Sequence, residues 1–179
     1  MGSNPIRRFS HLFDNTLKGK YMKITDFLNS KSISANLKST SKEDVIKELV
    51  DMLIEAGSLD KKHKAKVIEV LMAREALGST AIGQGIAIPH GKTECSEKLV
   101  GCLGISNEGI NFDSLDGEPA HIFFLLVAPV DSAGPHLKAL ARISRLLKDK
   151  FIRDSLKAAK DEKMIMKIVQ EEDGRLSKL

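Results

Sequence analysis

Arg74-Glu75-Ala76-Leu77-Gly78-Ser79-Thr80-Ala81-Ile82-Gly83-Gln84-Gly85-Ile86-Ala87-Ile88-Pro89-His90-Gly91 places a glycine or a hydroxyl residue at almost every turn of the chain. Four glycines and a proline in eighteen residues exclude a continuous helix. The run therefore divides the sequence into a part before it with helical periodicity and a part after it with short apolar runs.

Upstream, Ser41-Lys42-Glu43-Asp44 has the Ser-x-x-Asp form of a helix start. Val45, Ile46, Leu49, Val50, Leu53 and Ile54 follow at helical spacing, and Gly57 supplies a left-handed stop. Asp60 predicts the cap of a second helix, with Val67, Ile68 and Leu71 inward, running to about Glu75 before Gly78. Downstream, Leu99 to Ser106 and Ile122 to Ala128 predict strands, the second apolar on consecutive residues as expected when both faces are covered. Asn107-Glu108-Gly109 and Asp116-Gly117-Glu118-Pro119 are expected to turn between strands. Gly134-Pro135 opens a third long helix with Leu137, Leu140, Ala141, Ile143, Leu146 and Leu147 inward, and Phe151 to Ala159 and Glu162 to Gln170 are shorter helical segments. Helices, then strands, then helices imply an α/β fold: a small mixed β-sheet flanked by helices on both faces.

The chain has 179 residues, 42% apolar and 29% charged, enough for one well-filled core. Its net charge of +4 is concentrated at the start, where residues 1–22 hold four basic residues and one acidic one. The body carries no basic stripe beyond Lys61, Lys62, Lys64 and Lys66, so a nucleic-acid partner is not expected. The longest apolar run, Ile122 to Ala128, is far short of the roughly 18 to 20 residues that span a bilayer. With no secretion signal and two cysteines, Cys95 and Cys102, outside any Cys-x-x-Cys spacing, the expected compartment is the cytoplasm. Residues 1–21 read as an N-terminal extension, vector-derived or disordered, ahead of a domain at 22–179. Alternatively, Ile6, Phe9, Leu12 and Phe13 form an amphipathic arm.

Three ligand motifs fail. Gly91-Lys92-Thr93 ends like a phosphate-cradling loop, but five residues separate it from Gly85 where four are required, and one of them is Pro89, which has no N–H. A dinucleotide fingerprint from Gly83 would need its third glycine at Ile88. Zinc spacing is absent, so neither metal nor cofactor is expected.

The pattern that holds is centred on His90. From about Ile24 to Gln170 the chain resembles the type-2 enzyme IIA domains of the bacterial phosphoenolpyruvate-dependent phosphotransferase system. Arg74-Glu75 and Ser79 through His90 resemble the family's phosphorylation-site signature, and Gly134-Pro135-His136-Leu137 resembles the segment with its auxiliary histidine. The resemblance implies that His90 accepts a phosphoryl group from the phosphohistidine of HPr or a nitrogen-branch paralogue. It also implies that His136 lies beside His90 and that Arg74 helps hold the phosphate. It further implies a downstream partner: a IIB or permease domain in sugar uptake, or a regulatory target. With one domain and no fused transport segment, the regulatory nitrogen branch is favoured over a fructose- or mannitol-type uptake component.

Elementary chemistry agrees. Histidine titrates near about 6.5, so at neutral pH one ring nitrogen has a free lone pair to attack phosphorus. The resulting phosphorus–nitrogen bond gives the group up more readily than a serine ester. Glycines 83, 85 and 91 would keep the surroundings of His90 low for an approaching partner. His136, after Pro135, falls in the first turn of a helix, where free N–H groups favour phosphate and disfavour ring protonation. Arg74 offers a bidentate fork, and Ser79 and Thr80 offer hydroxyl donors. Each has a plainer reading: Arg74 as a helix-end charge, Ser79 and Thr80 as turn or cap residues. His63 is expected in solvent and His121 as a satisfied structural histidine. A binding module without phosphoryl transfer and a metal-dependent hydrolase using His90 and His136 are the competing functions.

Overall fold

The computed structural model describes residues 22–179, so the two readings of residues 1–21 lie outside the described residues. The element order is β1 (Leu28–Ser34), α1 (Lys42–Glu55), α2 (Lys64–Ala76), β2 (Ala81–Gly83), β3 (Ile86–Ala87), β4 (His90–Thr93), β5 (Val100–Ile110), β6 (Ala120–Pro129), α3 (Ala133–Leu147), α4 (Lys150–Ala158) and α5 (Glu162–Leu176). Single 3-10 turns at Ile24–Asp26 and Lys61–His63 precede β1 and α2.

The helix starts are chemical. Ser41 accepts the Asp44 N–H at 3.2 Å, Asp149 accepts that of Phe151 and Asp161 that of Met164, both at 2.8 Å. Asp60 caps the 3-10 turn that runs on into α2. At the end of α1, Gly57 takes a φ of +75°, as its position predicts.

The six strands form one mixed sheet in the order β1-β5-β6-β3-β2, with β4 also on β6. β6 is antiparallel to β5 and parallel to both β3 and β4, while β1 runs parallel to β5. Alternation along β6 accounts for its unbroken apolar run. Ile122, Phe124 and Leu126 pack with α3, α4 and α5, whereas Phe123, Leu125 and Val127 pack with α1 and α2. Helices cover both faces, as the sequence implies. Phe123 and Phe124 are fully buried on opposite sides, and truncating either to alanine costs about 3–5 kcal/mol.

Four expectations need correction. Leu137 and Ala141, placed inward on α3 by their spacing, face solvent, Leu137 at 67% exposure, because the buried stripe of that helix runs through His136, Ala139, Ile143, Leu146 and Leu147. Asn107-Glu108-Gly109 does not turn between strands but lies inside β5, where the register with β6 shifts between Ile105 and Ile110 and Gly109 has a φ of +83°. A bulge absorbs the extra residues without ending the strand. The last helix passes Gln170 and continues to Leu176, because its buried Asp173 accepts the Ile24 N–H and pairs with Arg142. The glycines near His90 serve the fold: Gly83 and Gly85, at φ of +87° and +77°, close the β2–β3 hairpin. Gly91 faces α2, and a Cβ there would stand 2.9 Å from Val70 Cγ1. These glycines therefore provide turns and close helix packing rather than a lowered surface for a partner.

Candidate functional site

β3 and β4 lie end to end along β6, Ile86–Ala87 beside Ile122–Phe123 and His90–Thr93 beside Leu126–Pro129. The break between them is Ile88-Pro89. Pro89 has no N–H to give, although its carbonyl still accepts Leu126 N–H at 2.9 Å. Ile88 turns its N–H to the carbonyl of Thr80 at 3.1 Å, and its own carbonyl stands 2.7 Å from His90 Nδ1. A carbonyl only accepts, so Nδ1 carries the hydrogen and the lone pair of the neutral ring is on Nε2.

Because Gly91 faces α2, strand alternation sets His90 and Lys92 on the other side of the sheet, toward α3. There His136, the fourth residue of α3, presents its ring edge-on to His90, with centroids 5.5 Å apart. His136 is 6% exposed, and its Nε2 is buried with no hydrogen-bond partner. Burial, followed by the charges of His90 and Lys92, pushes its pKa down to about 4. The sequence expectation of a neutral ring is thus met, with burial as the leading cause. At neutral pH an uncharged His136, with an unused buried nitrogen, faces the His90 ring.

Lys92 was missed by sequence reasoning. It stands in the rejected Gly-Lys-Thr motif, yet it shares a strand face with His90 and its charge reaches His136. His90 opens β4, and the period-2 rule applied from there puts Lys92 on its face.

Arg74 is in the last turn of α2, one turn beyond Val70, which packs on Gly91. Its Nη1 donates to the Gly78 carbonyl at 2.8 Å and so closes its own helix end. The rest of the guanidinium fork keeps unused N–H groups. Ser79 donates its hydroxyl to the Phe112 carbonyl at 2.5 Å, and Thr80 donates its hydroxyl to Glu75. As direct phosphate donors, both would first have to give these partners up. His121, half-buried, gives its Nδ1–H to Ser106 O at 2.9 Å, as a structural histidine does.

Among the described residues no three His, Cys, Asp or Glu side chains are grouped to hold a metal, and no helix is long and apolar enough to cross a membrane. A groove of about 510 Å³ between the β2–β3 hairpin and α3 is lined by none of Arg74, Ser79, Thr80, His90, Lys92 and His136. His90 is half-buried and lies outside that groove.

The chain is 42% identical over 148 residues to a nitrogen regulatory protein of Bradyrhizobium diazoefficiens, covering 83% of this chain and 95% of that one. It is 41% identical over 152 residues to the fructose-specific EIIABC component of Bacillus subtilis, covering 85% of this chain and 24% of that one. The crystal structure of nitrogen regulatory protein IIA-Ntr from Neisseria meningitidis superposes with a TM-score of 0.74 at 33% identity, covering 82% of this chain and 98% of that one. A family profile described as phosphoenolpyruvate-dependent sugar phosphotransferase system, EIIA 2, matches residues 26–172. With the match running from the first turn into the last helix, across the whole sheet and both histidines, the chain belongs to the type-2 enzyme IIA family.

Proposed function

We propose that this chain is a phosphoryl carrier whose acceptor is Nε2 of His90. The observation that carries the reading is the ring pair: His90 with Nδ1 tied to the Ile88 carbonyl, and a neutral His136 5.5 Å away with an unpartnered buried nitrogen. In the forward step the Nε2 lone pair bonds to phosphorus of a phosphohistidine on an HPr-type donor, the donor's phosphorus–nitrogen bond breaks, and its electron pair returns to the donor ring. Nδ1–H of His90 stays on Ile88 O throughout and stabilises the positive charge that the ring acquires. His136, uncharged, then donates Nε2–H to a phosphoryl oxygen. Lys92 and the free arm of Arg74 supply positive charge to the same group. Ser79 and Thr80 support it from the loop. Transfer onward is the same exchange in reverse with a second partner.

We assign the regulatory, nitrogen-branch role to this carrier. The likeness to nitrogen regulatory proteins over 95% and 98% of their lengths supports it. The 41% identity to part of a fructose-specific EIIABC component favours a second reading, delivery to a IIB domain during sugar uptake. The cytoplasm, where such donors act, belongs to the same proposal.

The test is incubation with phosphoenolpyruvate, enzyme I and HPr or its nitrogen-branch paralogue, followed by intact mass and acid lability. The expected result is one acid-labile phosphoryl group on the wild type and none on His90→Ala. A wild type that stays unmodified with both donors overturns the carrier reading. Passage of the group to a fructose- or mannitol-type IIB domain, with no other phosphorylation-dependent partner, would favour sugar uptake.

A further inference from the structure

Glu75 is a buried carboxylate that the carrier reading leaves without a task. Its side chain is 2% exposed at the end of α2, and three donors converge on it. The Thr80 N–H reaches Oε2 at 3.2 Å, the Thr80 hydroxyl bonds Oε1, and the Lys42 ammonium sits 3.0 Å from Oε2. Lys42 is itself held over the Phe112 ring, 4.7 Å from its centroid, and paired with Asp113.

A buried carboxylate with this many donors is costly to disturb, since removing it strands an ammonium, a hydroxyl and an amide away from water. The bonds continue in one line. Thr80, held by Glu75, offers its carbonyl to the Ile88 N–H at 3.1 Å, and the Ile88 carbonyl takes the Nδ1–H of His90 at 2.7 Å. The Ile88 N–H extends the β2–β3 pairing by one residue onto Thr80, and the next peptide, Ile88–Pro89, has no N–H of its own to anchor its carbonyl. The orientation of that carbonyl therefore depends on Thr80, and Thr80 depends on Glu75.

We propose that the Glu75 carboxylate is the positioning residue that fixes the tautomer of His90, acting through Thr80 and the Ile88 carbonyl. The inference deepens the carrier reading and rests on His90 as its acceptor. A glutamine cannot replace the carboxylate, because its single amide oxygen cannot serve three donors and its NH2 would face the Lys42 ammonium.

The experiment reads the ring directly. Long-range 1H–15N correlation spectra of histidine-labelled protein, at a pH where His90 is neutral, report which nitrogen carries the hydrogen without any phosphorylation. The wild type is expected to show His90 with the hydrogen on Nδ1, and Glu75→Gln and Glu75→Ala a population shifted toward Nε2. Phosphoryl acceptance in the variants is expected to fall by about 10- to 100-fold, by analogy with loss of the partner that orients a metal-ligating histidine. Val67→Ala, a buried substitution in the same helix with no link to Thr80, gives a thermal destabilisation against which the effect is judged. It is expected to leave the tautomer unchanged.

Folded Glu75→Gln with His90 still on Nδ1–H overturns the proposal, as does a Val67→Ala variant that shifts the tautomer equally. If Glu75→Ala does not fold, the glutamine variant decides alone. Should wild-type His90 show the Nδ1 hydrogen yet never take phosphate, the carrier reading fails and the positioning role is still tested by the spectra.

Discussion

His90 and His121 lie on neighbouring strands of one sheet, each half-buried and each giving its Nδ1 hydrogen to a backbone carbonyl, Ile88 at 2.7 Å and Ser106 at 2.9 Å. Both therefore keep their lone pair on Nε2. Around His121 that nitrogen meets backbone: a Cβ at Gly109 would lie 2.9 Å from it. Around His90 stand a second ring with an unpartnered nitrogen and the charge of Lys92. A fixed tautomer is thus a structural commonplace. On the carrier reading proposed above, what distinguishes His90 is the set of groups beside it that can stabilise an arriving charge.

The sharpest way to break this comparison is to exchange the losses. His90→Ala is expected to abolish acid-labile phosphorylation, whereas His121→Ala keeps one phosphoryl group per chain. A mass spectrum showing label on the first or none on the second would erase the distinction. Next in size, Lys92→Glu puts a negative charge on the face of His90 and should slow acceptance by about 100-fold. Stopped-flow or quenched-flow transfer from phosphorylated HPr measures it, and an unchanged rate would remove Lys92 from the site.

On the other side of the comparison, Gly109→Ala forces a Cβ to 2.8 Å from His121 Cε1 at a φ of +83°. The expected cost is about 2–3 kcal/mol of stability in urea unfolding, with acceptance per folded molecule unchanged. A rate loss beyond the unfolded fraction would mean that the two histidines are coupled.

The smallest effect concerns pH. His136 titrates at about 4 in the folded chain, against about 6.5 for an unperturbed ring. Between those values the unfolded chain binds a proton that the folded chain does not, so stability rises with pH across this window. Its contribution is fully present above about 6.5, is lost as pH falls toward 4, and levels off below that. About 2 kcal/mol of it is lost by pH 5, and the loss is absent from His136→Leu. Subtracting the two unfolding profiles isolates it, and parallel profiles would show that His136 is not held neutral by burial.

The sequence and the structure agree where periodicity is long. α1 carries a capping serine, α1 and α2 carry several turns of inward apolar positions, and α3 does so apart from the exposed Leu137 and Ala141, while β6 carries an apolar run too short for a helix with two covered faces. β1, Leu28-Asn29-Ser30-Lys31-Ser32-Ile33-Ser34, is polar on alternate and consecutive residues and was invisible to that test. β2, β3 and β4, with three, two and four residues, are shorter than any window in which a period can be counted. They exist because β6 offers an edge to pair with, which is tertiary information. The pairing of His90 with His136 came from a family signature, not from spacing. Lys92 and Glu75 needed the strand face and the bond line before they had any meaning. Ser79 and Thr80 had the right chemistry for phosphate, yet the fold gives their hydroxyls to Phe112 and Glu75.

The Ile24 N–H donates to Asp173 Oδ2 at 2.8 Å, across 149 positions of sequence, and Arg142 locks the same carboxylate from α3. The first turn and the last helix of the fold therefore meet at one buried anion. A unit with both ends at one corner can be spliced into a longer polypeptide as a self-contained cassette, because flanking chain enters and leaves without crossing the sheet. The same geometry makes it a candidate for circular permutation, with a short linker joining the ends and new termini opened in an exposed loop such as that around Leu115.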